Sequence, residues 1–430
     1  MKGISNRFRG DLTNFARLLV HYCLADQIGG SLSGKSVQLY GEENSEKANL
    51  VNIVVREIQK EGGTVVYRME TDLDKAKRLM KMSPDELTQS PKELLDDLKT
   101  VDVFLNILGV GRPNFYQEFG LEELLRRRGI SEEAIYREVG QIVMRARPWT
   151  VALYPTKAGA LKNRFLTKHS LADVGAYRKA VMRPCLDVDY REISRKALEA
   201  KALFDESEFI AIQTVSPEGK HYELIIGIEG RIGVVDDGHH NMPGGEILTT
   251  PRADLVNGEI YLSLTTEFRD QHITGIYLKF HGGKIVEYRA ETGNDVLEQI
   301  VLEKQRKSDG SYTTKPRMLG EVSLGLNTAV DPRFSRSLYT EKRGGVVVIA
   351  PGFAYEQPVP QLTNEPDLNE RDRIRQELTR TGAISTSNLQ ADLAVADLSR
   401  PDNKSRLYFV SGQQRHELVW NNESGLWQIK

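Results

Sequence analysis

From residue 36 to residue 154, short, mostly apolar runs recur between segments of helical spacing, and few folds accommodate that alternation. The runs are 36–40, 64–67, 103–108 and 150–154, with helices expected over about 45–61 and from there through about residue 100. A strand that is apolar on both faces needs cover on both, so the pattern predicts a mostly parallel sheet with helices on either side. A helix over about 11–24 precedes it, since Leu12, Phe15, Ala16, Leu18, Leu19 and Tyr22 fall on one face. The segment 29–36 spells GxxxxGK[ST], but a phosphate-binding loop must follow a strand and open a helix, and here the order is reversed. Gly41-Glu42-Glu43-Asn44 and Gly109-Val110-Gly111-Arg112-Pro113 fall at the carboxyl ends of strands, where such sheets bind ligands. Neither has the glycine spacing of a dinucleotide site.

The second half is different in kind. Strands are expected at 209–215, 222–227, 259–264 and 276–280, with hairpin turns at Asn257-Gly258 and Gly282-Gly283. A helical, charged segment over about 170–203 leads into this half, one helix over 294–307 interrupts it, and the proline-punctuated stretch 356–372 reads as a loop or lid. The expected division is therefore an α/β, Rossmann-like domain over 1–185 and an α+β domain with a mostly antiparallel sheet over 186–430.

Charge and cysteine usage narrow the function classes. Lys plus Arg and Asp plus Glu nearly cancel, 58 against 60, which leaves no global field for nucleic acid or an anionic membrane. No apolar run approaches the ~20 residues of a membrane span, and the first residues have no signal-peptide core. Only Cys23 and Cys185 are present, far apart, so a reducing cytoplasm is the expected setting. No GxSxG elbow occurs, and nucleophilic catalysis has little support.

The polar punctuation of the second half carries the chemistry. In His239-His240-Asn241-Met242-Pro243-Gly244-Gly245-Glu246, the Pro-Gly-Gly turn sets a carboxylate at a defined angle, as a metal ligand or general base requires. The same letters also spell a hairpin turn with a solvated glutamate. Further on come Leu319-Gly320-Glu321-Val322, the run Glu341 to Tyr355, and Ser387-Asn388-Leu389-Gln390-Ala391-Asp392. In that order, with the 149–156 segment and the alternating first domain, these motifs resemble the aminopeptidase T family of thermophilic metallo-aminopeptidases.

The resemblance implies a pair of divalent metals, commonly zinc or cobalt, held by two glutamates, two histidines and an aspartate. Glu246 and Glu321 match the glutamates, Asp392 the aspartate, and Tyr355 the active-site tyrosine. The histidine positions hold Val348 and Gln390, so two ligands of the family are lost. Ring-cleaving dioxygenases related to these peptidases use the same two positions for iron and fail for the same reason. Zinc and cobalt favour nitrogen and sulfur donors, whereas carboxylates alone suit magnesium, manganese or calcium. His239 and His240 are the alternative candidates for a relocated ligand; after His281 only His416 remains.

Two readings follow. In the favoured one the chain keeps the peptidase architecture, holds no metal, and binds a peptide terminus or small amine without two-metal hydrolysis. In the other it is a metal-dependent hydrolase using one ion (Zn, Co, Mn or Mg) on Glu246, Glu321 and Asp392, with Tyr355 donating to a developing oxyanion. Family resemblance also implies a homodimer.

Overall fold

A computed structural model describes residues 6–89, 92–97, 100–109, 111, 121–135, 147–268, 271–306, 312–334 and 337–430. It divides into two compact units, Met1–Val188 with Gly238–Gly244, and Asp189–Asp237 with Gly245–Lys430.

The first unit is built on a five-stranded parallel sheet in the order Thr64–Thr71, Ser36–Glu43, Val103–Leu108, Trp149–Leu153, Asn241–Met242. Val37, Leu39, Val103, Leu105, Ile107 and Ala152 are all at 1% exposure or less, as strands covered on both faces require. Burying each of the larger ones stabilises the unit by about 1.5–3 kcal/mol. The helix Ala48–Lys60 turns Leu50, Val51, Val54 and Ile58 inward at helical spacing. The phosphate-loop lettering is a plain connection. The chain leaves a short helical turn at Asp26–Ile28 and enters the strand Ser36–Glu43 directly, so no helix N-terminus follows the loop. Of the glycine-rich feature at 109–113, residues 110, 112 and 113 lie outside the described residues.

The fifth strand of this sheet comes from the middle of the sequence. Val151 donates to the carbonyl of His240 at 2.8 Å, and Thr150 Oγ1 and Gln27 Nε2 donate to that of His239 at 2.6 and 3.0 Å.

In the second unit an eight-stranded antiparallel sheet runs Lys284–Arg289, Ile276–His281, Arg252–Leu262, His221–Gly227, Phe209–Val215, Arg406–Ser411, Gln414–Asn421, Leu426–Ile429. A smaller antiparallel sheet has the order Thr386–Gln390, Val346–Phe353, Leu319–Gly325, Glu246–Thr249, Val234–Asp236, with Leu393–Asp397 also paired to Val346–Phe353. Every residue of Leu319–Gly325 and of Val346–Phe353 is buried. Strands enclosed this fully can keep a charged side chain only if it is partnered.

Three local expectations are corrected and one, the helical segment at 170–203, is refined. Asn257-Gly258 is not a hairpin turn but the interior of Arg252–Leu262, where Gly258 at φ +117° lets the Glu223 carbonyl approach its α-carbon. The helix expected over 294–307 stops at Val301, because 302–306 pairs instead with Tyr312–Pro316. The 170–203 segment is two helices, Val174–Leu186 and Tyr190–Glu206, the second started by the Asp189 carboxylate accepting from the amides of Arg191 and Glu192. The stretch 356–372 is largely helical: Pro360–Thr363 is followed by Leu368–Arg380, and Glu356 is buried against Arg371 and Arg375. Among the described residues, no helix is long and apolar enough to cross a membrane.

Candidate functional site

Glu246 opens a strand of the smaller sheet, and the residue before it decides where its side chain goes. Gly245 sits at φ +114°, and a Cβ there would meet the Asn327 side chain at 2.8 Å, so a larger residue is excluded. Its amide donates to the Asp236 carbonyl at 2.7 Å and its carbonyl accepts from Leu326 at 2.8 Å, which fixes the turn between two strands. Glu246 is consequently 3% exposed, not a solvated turn residue.

Glu321 lies on the neighbouring strand, is 4% exposed, and accepts a short hydrogen bond from Gln390 Nε2. Glu341 and Lys342 follow the short helix Ser337–Thr340 just ahead of the apolar strand Val346–Phe353. The Lys342 side chain is fully buried. Its ammonium donates to Glu246 Oε1 and lies 2.9 Å from Glu341 Oε1 and 3.0 Å from Asp236 Oδ2. Asp392, two residues beyond the strand Thr386–Gln390, hydrogen-bonds with Glu341 and feels the charges of Glu321 and Glu246. The structure therefore brings Glu246, Glu321 and Asp392 together, and adds Asp236, Glu341 and Lys342.

Crowding and burial dictate the protonation of this group. Loss of water pushes Glu246 up to about 8; Glu341 and Asp236 add to the rise, and the Lys342 ammonium opposes it. Burial likewise carries Glu321 and Glu341 well above the usual carboxylate range, Glu321 being raised further by Glu246 and Glu341, and Glu341 further by Asp392. Asp392 rises to about 6, again through burial first and then the charge of Glu321. Burial disfavours the Lys342 ammonium, but Glu246, Glu341 and Asp236 outweigh it and hold the lysine charged.

Beside this cluster is a cavity with about 10 Å³ of room for a water's centre, enough for roughly one molecule. Thr265, Thr266, Thr340, Glu341, Val348, Asp392 and Ala394 line it. Val348 is 1% exposed and packs with Val346, Ala394 and Leu264. Its wall of the cavity offers no donor atom.

Tyr355, His239 and His240 are the remaining candidates. Tyr355 accepts from Thr250 Oγ1 through its carbonyl at 2.8 Å, and its ring packs edge-on to Phe353. His239 and His240 belong to the first unit. The His239 ring stacks on Tyr22 with its Nε2 3.9 Å from Asp26, and the His240 ring packs against Trp149.

A match to the thermophilic metalloprotease (M29) family spans residues 8–397, nearly the whole chain. The chain belongs to that family. Curated relatives include aminopeptidase AmpS of Bacillus subtilis (strain 168), 33% identical over 98 residues, 22% of each chain. Aminopeptidase T of Thermus aquaticus is 28% identical over 143 residues, 31% of this chain and 32% of that one. Aminopeptidase 2 of Geobacillus stearothermophilus is 28% identical over 192 residues, 42% and 41%. The matched stretches thus span well under half the length of these relatives. Wild-type AmpT from Thermus thermophilus shares the fold, with a TM-score of 0.65 at 19% identity over 96% of this chain and 98% of that one.

M29 proteins work with divalent metals, so the fit of such ions to these residues matters. A close pair of zinc or cobalt ions does not fit the donors present. Among the described residues, the side chains that converge are carboxylates and one amide, an ammonium already stands among them, and the amide nitrogen of Gln390 is turned onto Glu321.

The reading of the sequence missed Lys342, Glu341 and Asp236 as members of the site. A detectable signal was present for two of them: a Glu-Lys pair set against a long apolar run and followed by Gly344-Gly345 reads as a charge pair carried into the interior.

Proposed function

We propose that this M29 protein binds a peptide terminus or a small amine and does not carry out two-metal aminopeptidase hydrolysis. The observation that carries the reading is the partnering of the two central glutamates. Glu321 is engaged by the Gln390 amide, and Glu246 by the Lys342 ammonium at Oε1, its other oxygen being buried without a hydrogen bond, so a donor stands on each glutamate where a metal would draw its oxygens. The positions at which the family resemblance places histidines hold Val348 and Gln390, so the nitrogen donors that let zinc lower the pKa of a bound water are missing. A peptide or amine as ligand is supported by the aminopeptidase relatives. A homodimer, which rests on family resemblance, and a cytoplasmic setting, which rests on the two free cysteines, belong to the same proposal.

Elemental analysis of the purified protein, run beside a screen of aminoacyl and dipeptide substrates with and without chelator, tests it. The expected outcome is no stoichiometric metal and no hydrolysis, with dipeptide binding detectable by calorimetry and unchanged in Glu321→Gln. Hydrolysis that a chelator abolishes together with a bound ion would overturn the reading in favour of a metal-dependent hydrolase.

A further inference from the structure

We propose that Lys342 is the resident cation of the carboxylate cluster, its ammonium filling the point at which Asp236, Glu246 and Glu341 converge and so closing the site to divalent metal. The inference shares with the proposed function only the premise that no metal pair resides here.

An ammonium has three N–H donors and no acceptor. Lys342 meets three carboxylates, from three separate segments: Asp236 at the end of Val234–Asp236, Glu246 at the start of Glu246–Thr249, and Glu341 in its own turn. One N–H is hydrogen-bonded to Glu246 Oε1, and Glu341 Oε1 and Asp236 Oδ2 stand in ion-pair contact with Nζ at 2.9 and 3.0 Å. The side chain is wholly excluded from solvent, so the ammonium cannot be exchanged for water. A divalent ion needs several oxygens at roughly 2.0–2.6 Å around one centre, and that centre is taken by Nζ. Held in this way, a lysine is a compact point charge well suited to replace a cation. Gln390 completes the closure by donating to Glu321, the remaining buried glutamate of the group.

Titration with Mn²⁺, followed by calorimetry and by electron paramagnetic resonance, tests the assignment on the full chain. The parent protein is expected to take up no Mn²⁺ up to millimolar concentration. Lys342→Met, which removes the charge and leaves the carboxylates, is expected to take up one ion per chain, a gain of about a hundredfold or more in affinity. A parent protein that binds a divalent ion stoichiometrically with Lys342 in place would overturn the proposal, as would a folded Lys342→Met that binds none. A second experiment does not depend on that variant folding. Val348→His combined with Gln390→His restores nitrogen donors but keeps the ammonium, and is expected to bind no pair of zinc ions. Two zinc ions per chain in that double variant would refute the role of Lys342. Hydrolysis of aminoacyl substrates by metal-free parent protein would instead sink the proposed function and leave Lys342 as assigned.

Discussion

Replacing Asp392 by asparagine removes one titrating carboxyl from the cluster at nearly constant shape, and the consequence for stability can be worked out in sign and size. In the folded protein Asp392 titrates at about 6, against an ordinary value of 3.8, because it is withdrawn from water beside Glu321 and Glu246. The folded state thus binds this proton more tightly than the unfolded chain does. Stability contributed by the bound proton is present in full below about 4, falls as the pH rises, and is gone above about 6. At about 1.4 kcal/mol per tenfold difference in proton affinity, the whole swing is about 3 kcal/mol. The side-chain amide of Asp392→Asn has no proton to lose, so subtracting the variant from the parent cancels every other titrating group that the substitution leaves alone. Urea unfolding of the second unit, followed by fluorescence of Trp420 and Trp427, is the assay. The parent midpoint should drop relative to that of Asp392→Asn by about 1 M between pH 4 and pH 7. A difference that stays flat over that range, or that grows in the parent's favour as the pH rises, would refute the account of the buried cluster.

Arg317 is 2% exposed and donates to the carbonyls of Gln299, Ile300 and Leu302 and to Ser387 Oγ, thereby closing the end of the helix Asn294–Val301. Arg317→Met is expected to cost about 3 kcal/mol or more, by analogy with stripping partners from a buried charged network. Hydrogen exchange should accelerate first at 294–306, and unchanged protection there would contradict the capping role. Gly352 sits at φ +129° with the Leu389 carbonyl against its α-carbon, so Gly352→Ala must separate Val346–Phe353 from Thr386–Gln390. The expected result is a sharp loss of soluble protein, and for any soluble fraction a disturbed Gln390 environment by NMR; a normally folded Gly352→Ala variant would count against the tight register.

Much of the architecture was legible beforehand for a simple reason. Period-two and period-3.6 patterns report which faces are buried, and strands apolar on both faces, such as 103–108, admit little besides a covered parallel sheet. Boundaries failed where a distant partner overruled local preference. Residues 302–306 continue a helical pattern until Tyr312–Pro316 offers them a ladder, and Asn257-Gly258 has turn chemistry, yet lies inside an eleven-residue strand because Glu223 needs the space of a missing side chain.

The same division holds at the site. The amino-acid sequence alone determined which chemistry was available: three carboxylates at Glu246, Glu321 and Asp392, an apolar Val348, an amide at Gln390, and the glycine that must precede Glu246. It could not say what neutralises those carboxylates once water is gone. That depended on the antiparallel register that sets Val234–Asp236 beside Glu246–Thr249, and on the turn that carries Lys342 between them. Electrostatic energy falls with separation and rises as the dielectric falls, and both quantities belong to residues scattered over more than a hundred positions of chain. Only folding brings them to one place.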